Sequence, residues 1–242
     1  MNNNIFIGID FVEPLSLKEL IKLKSKKDIY YNWQYYFYNV WSKKNWLFCN
    51  KMLNDGGFIF CIVKDIYLKS KNNFEDDITF FNIQEIRSAI GMVASYRYTI
   101  LWQNTDEDNI EIEKKNLKSF KERKFPTYFR PLQDTYQVLA FQVNGKRKIE
   151  DTIMNKSAFT KKEFEKYQKN IWSVSKIELV NRLIKLGSFY GDTVFNLGLT
   201  KENANVIEKS CKTNKRGYLF YEKEDWENEL KKNKGEPIDL PF

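Results

Sequence analysis

Residues 173–222 read SVSKIELVNRLIKLGSFYGDTVFNLGLTKENANVIEKSCKTNKRGYLFYE, and the order of elements in this stretch decides the fold class. Residues 177–186 carry apolar side chains at helical spacing. Gly191-Asp192 is a turn signal, and a short apolar strand follows it at 193–195. A loop, Asn196-Leu197-Gly198-Leu199-Thr200-Lys201-Glu202, leads into a second helix. A further apolar strand at 218–221 ends at Glu222. Helices alternating with buried strands imply an α/β fold with a largely parallel sheet.

This order resembles the cofactor-binding half of the DNA adenine-N6/cytosine-N4 methyltransferases. That family's pattern runs TQKP-x-EL-x-x-RLI, then GD-x-VLDPF-x-GSGTT, then a strand ending in IGIE. The helix IELVNRLI, the turn Gly191-Asp192 and the acid Glu222 match it. Ser173, Val174, Ser175 and Lys176 stand in place of TQKP, and Asn196 stands for the aspartate after the strand. The family's loop glycines let the backbone pass close to S-adenosylmethionine in conformations only glycine adopts cheaply. Thr200 and Glu202 occupy those places, so side chains project where the cofactor would lie. The resemblance implies a Rossmann-like methyltransferase fold, a mixed, mostly parallel sheet with helices on both faces. It implies a degenerate cofactor site at Asn196, Gly198 and Glu222. The alternative is a βαβ unit from an unrelated α/β protein.

The rest of the chain follows the same family order. Residues 5–9 form an apolar run suited to a buried strand ending at Asp10, and 15–23 have helix spacing with Ser16 as a cap. A long helix is expected over 33–53. Asn54-Asp55-Gly56-Gly57 stops it before a buried strand at 58–63, similar to the family's RVLKPGG and apolar strand. A helix over 83–92 and a strand over 96–102 ending in TILW correspond to the family's helix and strand ending in IIW. Residues 104–124 are acidic and then basic, the mark of a surface loop. A strand over 136–143 comes next, and 144–170 is a Lys-rich variable element. The expectation is one domain over 1–242 with a variable basic insertion around 104–170.

In the family a (D/N/S)PP(Y/F) motif at a strand end holds the target amine and stacks on the flipped base. Two places compete for it. Asp10-Phe11-Val12-Glu13 follows an apolar strand, whereas Asp28-Ile29-Tyr30-Tyr31-Asn32 is closer by letters. Context favours Asp10 over Asp28 and Tyr31. Both lack the prolines, so neither aspartate inherits the rigid turn that would align an amine with a methyl donor. A turn or capping role is the competing reading for Asp10.

Composition narrows the remaining classes. The 242 residues include 40 Lys and Arg against 32 Asp and Glu, a net charge of +8, which favours a polyanionic partner such as nucleic acid. A lysine-rich proteome would produce the same excess. The absence of histidine removes Ser-His-Asp and Cys-His catalysis and histidine metal sites. No metal site is expected, and Cys49, Cys61 and Cys211 read as thiols in a reducing compartment. No apolar run approaches a membrane span and MNNNIFIGID lacks signal-peptide features, so a cytoplasmic location is expected, nuclear in a eukaryote. The aromatic run Tyr30, Tyr31, Trp33, Tyr35, Tyr36, Phe37, Tyr38, Trp41 is too dense for one helix face, and part of it is expected to lie exposed or against a partner.

The leading expectation is a catalytically inactive methyltransferase-like subunit that pairs with an active DNA methyltransferase and contributes DNA binding. The chain itself would hold no cofactor, with S-adenosylmethionine bound in the active partner. The DNA contacts would come from Lys114, Lys115, Lys118, Lys121, Arg123, Lys124, Arg130, Lys146, Arg147 and Lys148. An active N6-adenine or N4-cytosine methyltransferase with divergent motifs is the alternative. A scaffold or RNA-binding protein of the same fold is a further one.

Overall fold

The computed structural model describes residues 5–12, 37–64, 66–68, 78–80, 82–106, 135–198 and 200–232. Its strands are β1 (Ile5–Phe11), β2 (Phe58–Val63), β3 (Ile66–Leu68), β4 (Ile78–Phe80), β5 (Ser95–Asn104), β6 (Thr135–Gln142), β7 (Ile171–Val174), β8 (Thr193–Asn196) and β9 (Gly217–Phe220). Seven of them form one sheet in the order β7-β5-β6-β2-β1-β8-β9, and β3 and β4 form a separate ribbon. Within the sheet β6 runs antiparallel to β2 and β5 and the other pairs are parallel, while the β3–β4 ribbon is antiparallel. The mixed, mostly parallel α/β sheet expected from the alternation of helices and strands is therefore present.

Helices cover both faces. On one lies α1, in which Phe37–Ser42, Lys43–Leu47 and Phe48–Met52 run on continuously, the first and last segments with the wider π turn. With it lie α2 (Asn82–Ile90) and α7 (Lys223–Lys232), whose Ile86 and Trp226 join the same core cluster. The other face carries α5 (Lys176–Gly187) and α6 (Lys201–Thr213). Residues 144–170 contain two short helices, α3 (Asp151–Ser157) and α4 (Lys161–Tyr167). α4 opens with a complete capping box between Thr160 and Glu163, which satisfies the first N–H groups of a helix that buries no side chain.

β1 sits between β2 and β8 and is buried on both faces, so residues 5–9 read as an unbroken apolar run. Ile5 faces α1, while Ile7, Ile9 and Phe11 face α5 and α6. Each fully buried isoleucine contributes about 1.5–3 kcal/mol. Gly8 leaves room for Phe48 of α1 and for Leu197, because a Cβ there would lie 2.5 Å from Phe48 Cε1 and 2.8 Å from Leu197 Cδ1.

Several boundaries differ from those read in the sequence. β1 continues through Asp10 to Phe11, because Phe11 still finds a partner in Ile62. Asp10 is therefore inside a strand and does not stand beyond its end. The ribbon β3–β4 was not anticipated; two three-residue strands leave almost no periodic signal. The helix expected over 15–23 and residues 33–36 of the long helix lie outside the described residues.

Candidate functional site

In parallel α/β sheets, ligands bind beyond the carboxyl ends of the strands, so the site begins at the ends of β1, β2, β5 and β8. Asp10 lies there, 1% exposed. Strand alternation turns its side chain toward α1, away from the face that Ile9 and Phe11 occupy. Three donors from α1 meet one oxygen. Trp41 Nε1 donates to Asp10 Oδ2 at 2.9 Å and Asn45 Nδ2 at 3.1 Å, and Lys44 Nζ lies 3.4 Å away. Trp41, Lys44 and Asn45 have the i, i+3, i+4 spacing that gathers side chains on one helix face. Lys44 Nζ also donates to the Leu197 carbonyl, linking α1 to the loop after β8. Burial of the carboxylate is thus compensated by a cation and two N–H donors. Beneath the cluster, burial pushes the Cys61 thiol well above its ordinary range, and the Asp10 charge adds to that. Burial also raises Cys49 to about 12, so both thiols stay protonated and inert.

Beyond β8 the chain makes a short polar turn. Asn196 is fully buried, and its Oδ1 accepts the Gly198 N–H at 2.9 Å. The Leu197 N–H donates to the Ile9 carbonyl at 2.9 Å and its side chain is fully buried, so the loop is drawn onto the end of β1. Glu222 follows β9 as an exposed residue at the start of α7. Its N–H donates to Asp225 Oδ2 at 3.1 Å and its carbonyl accepts from the Asp225 and Trp226 N–H groups at 3.1 and 3.3 Å. The backbone of Glu222 thereby starts the helix that carries Trp226 onto Phe195.

A pocket opens on the opposite face from Asp10, lined by Phe11, Val12, Ile62, Trp102, Asn104, Tyr136, Lys176 and Asn203. Its volume is about 130 Å³. A cavity of about 150 Å³ holds a single benzene ring, so this space suits one ring. Its walls are aromatic: Trp102 and Tyr136 lie 4.9 Å apart between ring centroids. Its polar rim comes from the first turns of α5 and α6. Lys176 Nζ donates to Glu202 Oε1 at 2.7 Å and to Asn203 Oδ1 at 3.2 Å, and it stands 5.7 Å from the centre of the Phe11 ring. Asp106 Oδ2 accepts the Lys176 N–H at 2.9 Å, placing a carboxylate at the positive end of α5. Asn104 Oδ1 accepts the Asp106 N–H at 3.1 Å.

The family-like letters outside this edge have partners within the chain. Gly191 has φ 83°, a conformation costly for other residues, and Asp192 beside it is 3% exposed. Arg147 Nη1 and Nη2 donate to the two Asp192 oxygens at 2.6 and 2.5 Å. The guanidinium also lies 3.4 Å from the centre of the Phe6 ring. Glu178 and Arg182 pair within α5 at 2.9 Å, and Arg182 stands 5.1 Å from the Trp172 ring centre.

Of the basic residues expected at DNA, Lys146 and Lys148 are exposed and Arg147 is committed to Asp192. Lys114, Lys115, Lys118, Lys121, Arg123, Lys124 and Arg130 lie outside the described residues, as do Asp28 and Tyr31. Phe37 and Trp41, from the aromatic run, are buried and stacked 4.9 Å apart. Sequence reasoning missed Lys44, Asn45, Asn104, Asp106 and Asn203. The available signal was Trp41-x-x-Lys44-Asn45, polar groups set into the buried face of an otherwise apolar helix. Among the described residues, no three His, Cys, Asp or Glu side chains are grouped to hold a metal. No helix among them is long and apolar enough to cross a membrane.

No family model matches the sequence, and no curated protein matches it. Solved structures do. TTHA0409 of Thermus thermophilus, assigned as a DNA modification methylase, superposes with a TM-score of 0.66 at 16% identity, over 96% of this chain and 88% of that one. Its complex with S-adenosyl-L-methionine superposes with a TM-score of 0.67 at 17% identity, over 95% and 89%. The architecture of this chain is therefore the Rossmann-like methyltransferase fold, shared across nearly its whole length with TTHA0409.

Proposed function

We propose that the chain is a methyltransferase-fold subunit without methyl-transfer activity, which pairs with an active DNA methyltransferase and adds contacts to DNA. The carrying observation is the state of Asp10. An amine-methylating site needs an open acceptor at the end of this strand, facing the methyl donor. Asp10 is instead sealed under α1, with Trp41, Asn45 and Lys44 supplying the N–H donors that a target amine would bring.

The residues at the cofactor position do not fit S-adenosylmethionine. Asn196 takes the Gly198 N–H, Lys44 takes the Leu197 carbonyl, and Glu202 is bound to Lys176. DNA enters the proposal through the net charge of +8 and the exposed Lys146 and Lys148.

Calorimetric titration of the isolated chain with S-adenosylmethionine tests the cofactor half, and the expected result is no heat of binding up to about 1 mM ligand. Co-expression with the methyltransferase of its native source tests the partner half. The expected result is co-elution at micromolar concentrations, with methyl transfer confined to the partner. Separate elution, or methyl transfer by this chain alone, overturns it.

A further inference from the structure

Lys176 stands at the position of the proline in the family's TQKP, and Glu202 stands at the second glycine of its GSG. Two departures 26 residues apart in sequence are joined in space by a 2.7 Å hydrogen-bonded ion pair. The pair spans the first turns of α5 and α6. Lys176 lines the pocket, with its side chain only 20% exposed, whereas the Glu202 side chain is 79% exposed. The bond therefore runs from the pocket wall out to solvent, across the rim. Asn203 accepts a second bond from the same ammonium, and Phe11 closes its inner side.

We propose that the Lys176–Glu202 pair is a bar that keeps S-adenosylmethionine out of the pocket, and that it is the specificity-determining feature of this edge. The inference rests on the reading that the chain binds no cofactor. It assigns the deciding part of the exclusion to these two side chains, with the paired groups of the turn after β8 secondary. The chemistry has two parts. S-adenosylmethionine carries a sulfonium and an ammonium, and Lys176 sets a like charge against them in a partly desolvated place. The bar also presents an ammonium and a carboxylate side by side, the same charges as the amino-acid end of the cofactor, so the donors and acceptors there are already paired.

Calorimetry on three proteins tests it: the natural chain, the double variant Lys176→Ala/Glu202→Gly, and the single variant Lys176→Met. Both replacements of Lys176 keep the backbone N–H that Asp106 accepts. The natural chain is expected to give no binding up to about 1 mM, and the double variant at least a tenfold gain, a Kd of about 100 μM or below. Lys176→Met removes the ammonium, keeps most of the stem, and carries the same expectation if the double variant does not fold. A folded variant that remains silent overturns the bar and leaves the cofactor-free reading standing. Binding by the natural chain overturns that reading itself. Heat from the variants alone supports both.

Discussion

The turn before β8 and the loop after it lie within a dozen residues of each other and have had opposite fates. Gly191-Asp192 matches the methyltransferase pattern letter for letter, whereas residues 196–202 match it almost nowhere. The difference lies in where each residue's partner is. Asp192 binds Arg147, and Glu178 in the neighbouring helix binds Arg182, so their partners belong to this chain. The loop residues of an active methyltransferase would be partnered by a bound cofactor. On the proposed reading that this chain holds no cofactor, the first set is still required for folding and the second is free to change. The residues now in the loop have found internal partners: Lys44 for the Leu197 carbonyl and Lys176 for Glu202.

The sharpest way to break this comparison is at Asp10. If it is structural, Asp10→Ala leaves Lys44 buried without its charge partner and costs about 3–5 kcal/mol of stability. Urea unfolding reads this directly, with Asp10→Asn expected to cost less because the amide still accepts from Trp41. A stable Asp10→Ala variant that loses methyl transfer in the assembled complex would return Asp10 to catalysis.

Arg147 sharpens the same point on the opposite edge of the sheet. Arg147→Ala strands the Asp192 carboxylate, 3% exposed, and is expected to cost about 3 kcal/mol, seen as a lowered urea midpoint. Lys146 and Lys148, its exposed neighbours, should behave oppositely. Replacing both with glutamine is expected to leave the urea midpoint unchanged. If each contacts a phosphate, the slope of log affinity against log salt for duplex DNA, measured in the complex, flattens by about 1.8. An unchanged slope would mean that the two lysines are merely solvated.

The smallest expected effect belongs to Glu163, which ties α4 to α5. Its hydrogen bond from Lys185, with a second from the Thr160 backbone, holds its carboxyl down to about 2 from an ordinary 4.5. A lowered folded value means that the stabilisation is complete above about 4.5 and is lost as the pH falls toward about 2. The group is partly open to water, so less than about 1 kcal/mol is at stake. In Glu163→Gln, stability should fall less steeply across this window than in the natural chain, as read by thermal unfolding at successive pH values.

Much of the fold was legible because local and global signals agreed. The apolar runs at 5–9 and 58–63 announced buried parallel strands. The spacing of Leu179, Val180, Leu183 and Ile184 announced α5, and all four are fully buried. The ribbon β3–β4 was too short to carry a period. The π turns of α1 were hidden because apolar spacing does not distinguish them from an α-helix.

The site divides in the same way. The sequence by itself determined that the motifs were eroded, since the absent prolines and glycines, and the Asn196, Thr200 and Glu202 that stand in the eroded places, are properties of single positions. It also determined that histidine chemistry was excluded. Only the tertiary structure decided what the eroded positions do. Asp10 meets residues 31 to 35 positions away on α1, and Lys176 meets Glu202 across 26 residues. A strand's alternation sends its side chains to one face or the other, but which helix waits there is set by the packing of the whole sheet. That packing put Asp10 under Lys44 and left the pocket on the other side.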